Sequence, residues 1–313
     1  MTMASFSTIT PWRGVSDIDA PSQAVYKPRI FAIANQKGGV GKTTTAVNLA
    51  AALAIAGEPV LLIDFDPQGN ASTGFGVAPQ DRGMGSYQLI HQGAPNPVET
   101  YRTQYHNLWL VPAGADLVGA EIELTTQAGR EFRLRDALAD WRKGAPFRTI
   151  LIDCPPSLGL LTLNALVAAD DVLVPLQCEF YALEGISGLT RTIEMVRRRL
   201  NPALKLRGVV LTMYDRRNNL SELVASDARD FFGEWVYETV IPRNIRLSEA
   251  PSHGLPVAVY DPKSSGALAY AQLAEEFLRR TREDIPPRPA PDDTPPRRSA
   301  DDTPPRRAPD DSP

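Results

Sequence analysis

Gln36-Lys37-Gly38-Gly39-Val40-Gly41-Lys42-Thr43-Thr44 decides how this chain folds and much of what it can bind. An apolar run ends at Asn35 immediately before it, and an alanine-rich, helix-forming stretch begins at Lys42. A glycine-rich turn closed by Gly-Lys-Thr between a strand and a helix is the pattern of a phosphate-binding loop. Gly38, Gly39 and Gly41 allow backbone N–H groups to turn inward around phosphate oxygens, with Val40 and Thr44 completing the cradle. The helix N-terminus adds partial positive charge. In that pattern Lys42 neutralises β and γ phosphate oxygens and the Thr43 hydroxyl binds Mg²⁺. The ordinary loop carries one lysine. Here Gln36 occupies the place of the first glycine and Lys37 is a second cation whose charge needs a purpose.

Outward from the loop, short apolar runs bounded by turn residues read as buried strands over residues 30–35, 60–65, 108–112, 149–154, 171–176, 206–213 and 236–241. Continuous apolar runs of this kind suit parallel strands covered on both faces. Helical stretches over 42–56, 130–141, 158–168, 183–200, 220–232 and 266–282 separate them. The alternation predicts one α/β domain over residues 29–284: a single doubly wound, mostly parallel sheet with helices on both faces. Ligands in such a fold bind at the carboxyl ends of the strands. Residues 1–28, rich in Ser, Thr and Pro without periodicity, and residues 285–313, dominated by Pro, Asp and Arg, are expected to be disordered. Asp-Asp-Thr-Pro-Pro-Arg-Arg occurs twice in the second of these, at 292–298 and 301–307. That duplication reads as a solvated tail, or as a partner-binding segment in polyproline II conformation.

The 313 residues are 43% hydrophobic, enough for a substantial core, yet no run reaches the roughly 18 apolar residues of a membrane span. No signal-peptide layout opens the chain, so a cytoplasmic protein is expected. Cys154 and Cys178 lie in apolar contexts without metal or redox spacing and read as buried thiols. A formal charge of −4 gives no global attraction to nucleic acid, so any such binding requires a local patch.

Two more carboxylate motifs fall at strand ends. Leu61-Leu62-Ile63-Asp64-Phe65-Asp66-Pro67-Gln68-Gly69-Asn70 places two aspartates at the mouth of the second strand. Ile150-Leu151-Ile152-Asp153-Cys154-Pro155-Pro156-Ser157 has the form of a Walker B strand, apolar residues ending in a metal-facing aspartate. Either aspartate alone also suits a helix cap or turn. Beside a phosphate loop, both suit Mg²⁺, which takes oxygen ligands, often through water.

Together with Ile241-Pro242-Arg243-Asn244-Ile245-Arg246-Leu247-Ser248-Glu249-Ala250-Pro251-Ser252-His253, these motifs resemble the ParA/Soj family of chromosome- and plasmid-partition ATPases, in order and from about Arg29 to Arg282. The resemblance implies a Mg²⁺-dependent ATPase that forms an ATP-bound sandwich homodimer. In such a dimer Lys37 is the signature lysine that reaches the phosphates of the partner subunit. Lys42 and Thr43 carry over as phosphate and Mg²⁺ contacts, and Asp64 and Asp153 as groups holding the metal, largely through its waters. Asp66 matches the residue that positions the attacking water. Met213, Pro242 and Asn244 match a segment used for adenine, although residues of these types also serve packing and turns. Arg216, Arg217, Arg243, Arg246 and Lys263 follow strands of one half of the sheet and match regions through which the family binds double-stranded DNA without sequence preference. Such contacts depend steeply on salt, and the same arginines could simply be solvated. A ParB-type centromere-binding partner, nucleoid association and no membrane partner complete what the resemblance implies. Relatives of this kind also position other cargo, such as organelles.

Two other readings share the loop. A MinD-type division-site regulator usually has Gly where Gln36 stands and ends in an amphipathic membrane-targeting helix. Here the last helix runs instead into the Pro-rich repeats. An electron-transfer protein like the nitrogenase iron protein requires two cysteines in exposed cluster-facing loops, a poor match to Cys154 and Cys178.

Overall fold

The computed structural model describes residues 25–93, 103–179 and 182–282. Among the described residues, six strands form one sheet: β1 (Arg29–Ile33), β2 (Val60–Asp64), β3 (Leu108–Val111), β4 (Thr149–Asp153), β5 (Asp171–Gln177) and β6 (Lys205–Thr212). Their order is β3-β2-β4-β1-β5-β6 and every neighbouring pair is parallel. The helices are α1 (Lys42–Ile55), α2 (Asn70–Gly74), α3 (Ser86–Gln92), α4 (Leu117–Leu124), α5 (Arg133–Ala137), α6 (Ala139–Lys143), α7 (Leu160–Ala168), α8 (Ala182–Arg199), α9 (Asn219–Phe232), α10 (Ile245–Glu249), α11 (Val257–Tyr260) and α12 (Ser265–Arg282).

Alternation along each strand explains why the runs are apolar throughout. Ile30 and Ala32 of β1 join one core with Leu61, Ile63, Ile150, Ile152 and Val172, whereas Phe31 and Ile33 join the other with Leu62, Leu151 and Leu173. Successive side chains in a strand point to opposite faces, so a strand covered on both sides needs apolar residues at every position. The first face is covered by α7 through Leu161 and Leu166, by α8 through Leu189 and Ile193, and by α9 through Val224 and Phe232. The second is covered by Leu49 and Leu53 of α1 and by Tyr270, Leu273 and Phe277 of α12. Phe277 meets Phe31 at 4.7 Å between ring centroids. Burying one such ring contributes roughly 1.5–3 kcal/mol. The doubly wound parallel sheet predicted from the sequence is therefore the observed fold.

Three local expectations need correction. Residues 236–241 do not form a seventh strand. Tyr237 N and Ile241 N donate to the carbonyls of Val209 and Leu211 in β6, at 2.9 and 2.8 Å, but the intervening Glu238 and Thr239 amides donate to the Glu276 carboxylate, each at 2.9 Å. A carboxylate from α12 has taken the donors a ladder would need. The helix expected over 130–141 is broken into a 3₁₀ turn (Arg130–Phe132), α5 and α6, with Leu138 at the joint. Order also begins before residue 29: Tyr26 and Ala145 exchange backbone hydrogen bonds at 2.8 and 2.9 Å, and the Arg148 guanidinium lies 4.3 Å from the Tyr26 ring. The rest of the expected terminal extensions, residues 1–24 and 285–313, lies outside the described residues. No described helix is long and apolar enough to cross a membrane.

Candidate nucleotide site

The strand order sets the site. β4 lies between β1 and β2, so the carboxyl ends of these three strands adjoin, with Asp153 in register with both Ile33 and Asp64. The chain leaving β1 turns through Gly39 and Gly41, at φ 75° and 88°, conformations that L side chains resist, and enters α1 at Lys42. Three contacts fix this loop. Asn35 Nδ2 donates to the Pro175 carbonyl at 2.8 Å while its Oδ1 accepts from Lys37 N at 3.0 Å, and Thr212 Oγ1 donates to the Val40 carbonyl at 2.8 Å. Gly38 and Gly39 are exposed, leaving the backbone approachable, and Thr43 and Thr44 are half-buried at the start of α1.

Lys42 is only 6% exposed and its Nζ donates to the Lys37 carbonyl at 3.0 Å. Burial lowers its pKa, and the carboxylates of Asp153 and Asp66 counter that fall. Asp64 and Asp153 are both fully buried. Burial pushes the Asp64 carboxyl up to about 6 against the hydrogen bonds from Ser72. Burial, reinforced by the neighbouring Asp64 charge, holds Asp153 well above the ordinary carboxylate range. Neither oxygen of Asp153 has a partner at hydrogen-bond distance, although the Thr43 hydroxyl is near enough to pull its pKa down. A buried charge without a partner is costly, so an orphaned carboxylate beside a phosphate loop marks the place where a cation or its waters fit. Mg²⁺ is commonly held by one or two carboxylates, several waters and substrate phosphates, which matches this donor set. Asp66 lies two residues on, 7% exposed, with Oδ1 accepting from Gln68 N at 3.0 Å and its carbonyl closing a turn with Gly69 N at 2.9 Å.

An AAA domain model matches residues 28–206. The chromosome partitioning protein ParA of Caulobacter vibrioides is 58% identical over 255 residues, covering 82% of this chain and 96% of that protein. Soj of Bacillus subtilis, a sporulation initiation inhibitor protein, is 51% identical over 248 residues, 79% of this chain and 97% of that one. The chain belongs to the ParA/Soj family of P-loop ATPases. Among solved structures, cobyrinic acid a,c-diamide synthase from Mycobacterium smegmatis, with a bound ATP analogue and magnesium, superposes with a TM-score of 0.71 at 40% identity, over 82% of this chain and 97% of that one.

Within the ParA/Soj frame, the remaining sequence-predicted residues separate into three groups. Lys37 is half-buried at the loop, its Nζ 3.6 Å from a carboxylate oxygen of Glu179. The segment matched to adenine contacts is assembled by a bridge between Tyr214 and Pro242. Met213 precedes that bridge at φ 53°, an uncommon conformation for a side-chain-bearing residue. Asn244 is occupied structurally, accepting from Arg246 N at 2.8 Å as the cap of α10 and donating to Ser265 Oγ at 2.6 Å.

The basic residues are brought together but not left bare. Arg243 N donates to the Tyr214 carbonyl at 3.0 Å, which joins its turn to the loop carrying exposed Arg216 and Arg217. Arg246 Nε lies 3.2 Å from Asp261, two residues before exposed Lys263. Arg217 is clamped by both oxygens of Asp215, at 3.0 and 2.9 Å, and Arg246 also pairs with Glu249 at 2.8 Å. Five cations thus share the surface with Asp215, Glu249 and Asp261, a smaller surplus than the arginine spacing alone suggests.

Sequence reading missed the residues that hold the aspartates. Ser72 N and Oγ both donate to Asp64 Oδ2, at 2.8 and 2.6 Å, Ser86 Oγ donates to the Asp64 carbonyl, and Arg82 spans Thr73 Oγ1 and the Ala113 carbonyl at 2.8 and 2.9 Å. Their only sequence signal is the turn-forming Gly69-Asn70 that brings α2 back under the strand ends. Cys154 and Cys178 are buried and free, as expected.

Proposed function

We propose that this chain is a partition ATPase working as an ATP-gated DNA-binding switch. The observation that carries this reading is the buried Asp153 carboxylate with no partner on either oxygen, in register with Asp64 and within electrostatic reach of Lys42. The loop amides, Lys42 and Thr43 bind the phosphates of ATP. Asp153, Asp64 and Thr43 would hold Mg²⁺, which when bound would neutralise charge developing on the phosphates. Asp66 orients water for attack on the γ-phosphorus. The bond to the ADP oxygen breaks, ADP leaves, and the protons of the water remain on inorganic phosphate and solvent.

Lys37 turns the site into a dimerisation switch. A triphosphate between two facing loops carries surplus negative charge, and a cation donated in trans makes association depend on nucleotide. In the ATP-bound homodimer the patch of Arg216, Arg217, Arg243, Arg246 and Lys263 is doubled. Non-specific double-stranded DNA then binds avidly to the dimer and weakly to the monomer. Hydrolysis stimulated by a ParB-type partner releases the subunits from a cytoplasmic, nucleoid-bound state. Neither cysteine is an activated thiol. Burial raises both thiols, Cys178 to about 12 and Cys154 further.

The test combines light scattering with ATPase assays. Wild type is expected to dimerise with ATP and not with ADP. Asp66→Ala should bind ATP, dimerise and fail to turn over, and Lys37→Ala should bind nucleotide and stay monomeric. Wild-type turnover in Asp66→Ala, or an ATP dimer in Lys37→Ala, would sink the corresponding assignment.

A further inference from the structure

We propose that Ser72 is a positioning residue that fixes which oxygen of Asp64 faces the nucleotide site, an inference that rests on the Mg²⁺-nucleotide reading above. Asp64 and Ser72 are both fully buried. The Ser72 hydroxyl stands between an acceptor and a donor: Ala113 N–H donates to Ser72 Oγ at 3.1 Å, and Ser72 Oγ lies 2.6 Å from Asp64 Oδ2. A hydroxyl has one proton. With Ala113 N–H on its lone pair, that proton has to point at the carboxylate, and Ser72 N–H adds a second donor to the same oxygen at 2.8 Å. Oδ2 is thereby committed to protein donors, and Oδ1, with only a long 3.4 Å approach from Asp66 N, is the oxygen left to serve the site.

The same hydroxyl ties three pieces of chain together: the end of β2, the helix α2 that follows the Asp66 turn, and Ala113, the second residue after β3. Ser86 Oγ anchors the Asp64 backbone through its carbonyl, so the strand end itself is fixed and the side-chain torsion is what Ser72 decides. Asp153, its neighbour in register, has no such holder. One carboxylate is therefore oriented by two protein donors before any ligand arrives, and the other is not. Outer-shell partners of this kind typically contribute about 10–100-fold in metal affinity.

The test is titration of Mg²⁺ into protein carrying a fluorescent non-hydrolysable ATP analogue, with binding of the analogue without Mg²⁺ as the reference. Ser72→Ala is expected to weaken apparent Mg²⁺ affinity by about 10-fold while leaving Mg²⁺-free analogue binding unchanged. Ser72→Cys, close in size and a weak donor, should fall between Ala and wild type, and it serves as the working variant if Ser72→Ala does not fold. Unchanged Mg²⁺ affinity in either folded variant, or equal losses with and without Mg²⁺, would overturn the positioning role. Wild type that binds the analogue with no Mg²⁺ dependence would overturn the metal reading beneath it, and the Ser72 role with it.

Discussion

Asp153 and Asp171 are both fully buried aspartates at the edges of neighbouring apolar runs, and they are treated in opposite ways. Asp171 opens β5 at the amino end of the sheet, where Arg29 Nε reaches it at 2.5 Å and Arg207 Nη2 at 3.0 Å. Asp153 closes β4 at the carboxyl end with no guanidinium against it and no partner at hydrogen-bond distance, only the nearby Lys42 and Thr43. Burial raises both, but Asp171 stops at about 6 because Arg29 pulls it back. One end of the sheet spends its charges on holding strands and helix α12 together, since Arg207 also donates to the Arg280 carbonyl at 3.3 Å. The other end leaves its carboxyl without an ion pair of that kind. In open α/β sheets the carboxyl end is where ligands bind, and here the difference in pairing marks that end without reference to any motif.

Removing the partnered charge is the harshest break. Asp171→Ala leaves Arg29 and Arg207 without their shared carboxylate and is expected to cost about 3–5 kcal/mol of stability, read by urea unfolding, whereas Asp153→Ala should cost far less. Equal losses at the two sites would erase the contrast. Next in size, Asp153→Asn should abolish Mg²⁺-dependent nucleotide binding, measured by calorimetry, while raising the melting temperature of the nucleotide-free protein at pH 8 and not at pH 5.

The pH dependence sharpens the same point. Burial pushes folded Asp64 up to about 6, above the ordinary carboxylate range, and raises Asp153 as well. A raised carboxyl contributes stability that is fully present below its unfolded pKa and is lost as pH rises through the folded value. The nucleotide-free protein should therefore lose stability from these groups as pH climbs through about 6. A bound cation needs both groups ionised, so the Mg²⁺-ATP-induced rise in melting temperature should grow from pH 5 to pH 7.5. A rise that is flat across that range would show the carboxylates are not the groups the metal uses. The smallest effect belongs to Glu179→Gln, which removes the carboxylate 3.6 Å from Lys37. Both side chains are substantially exposed, so no more than about 0.2–1 kcal/mol is at stake. A modest tightening of ATP-dependent dimerisation is expected by light scattering.

The strands, the loop and the aspartates were legible because each is written locally: two-sided apolar runs, glycines at fixed spacing, carboxylates at strand ends. Residues 236–241 read as a strand on the same grounds, and failed because the deciding partner, Glu276, lies in a helix far along the chain. Ser72 and Arg82 were invisible for a related reason, since a serine and an arginine near a turn carry no period. The basic surface was legible in position but not in net charge. Whether Arg217 is available or bound to Asp215 depends on a loop geometry that spacing does not state.

Thr212 grips the nucleotide loop through the Val40 carbonyl, and Tyr214, only two residues later, pairs with Pro242 at the head of the arginine turn. The residue between them, Met213, sits in a left-handed conformation, which costs a side-chain-bearing residue about 1–2 kcal/mol. The nucleotide loop and the arginine turn are thus linked through one residue, Met213. Under the proposed function, communication between nucleotide and DNA would need no relay through the protein interior, because a small displacement of the Val40 carbonyl would bear on the turn that carries the arginine loops.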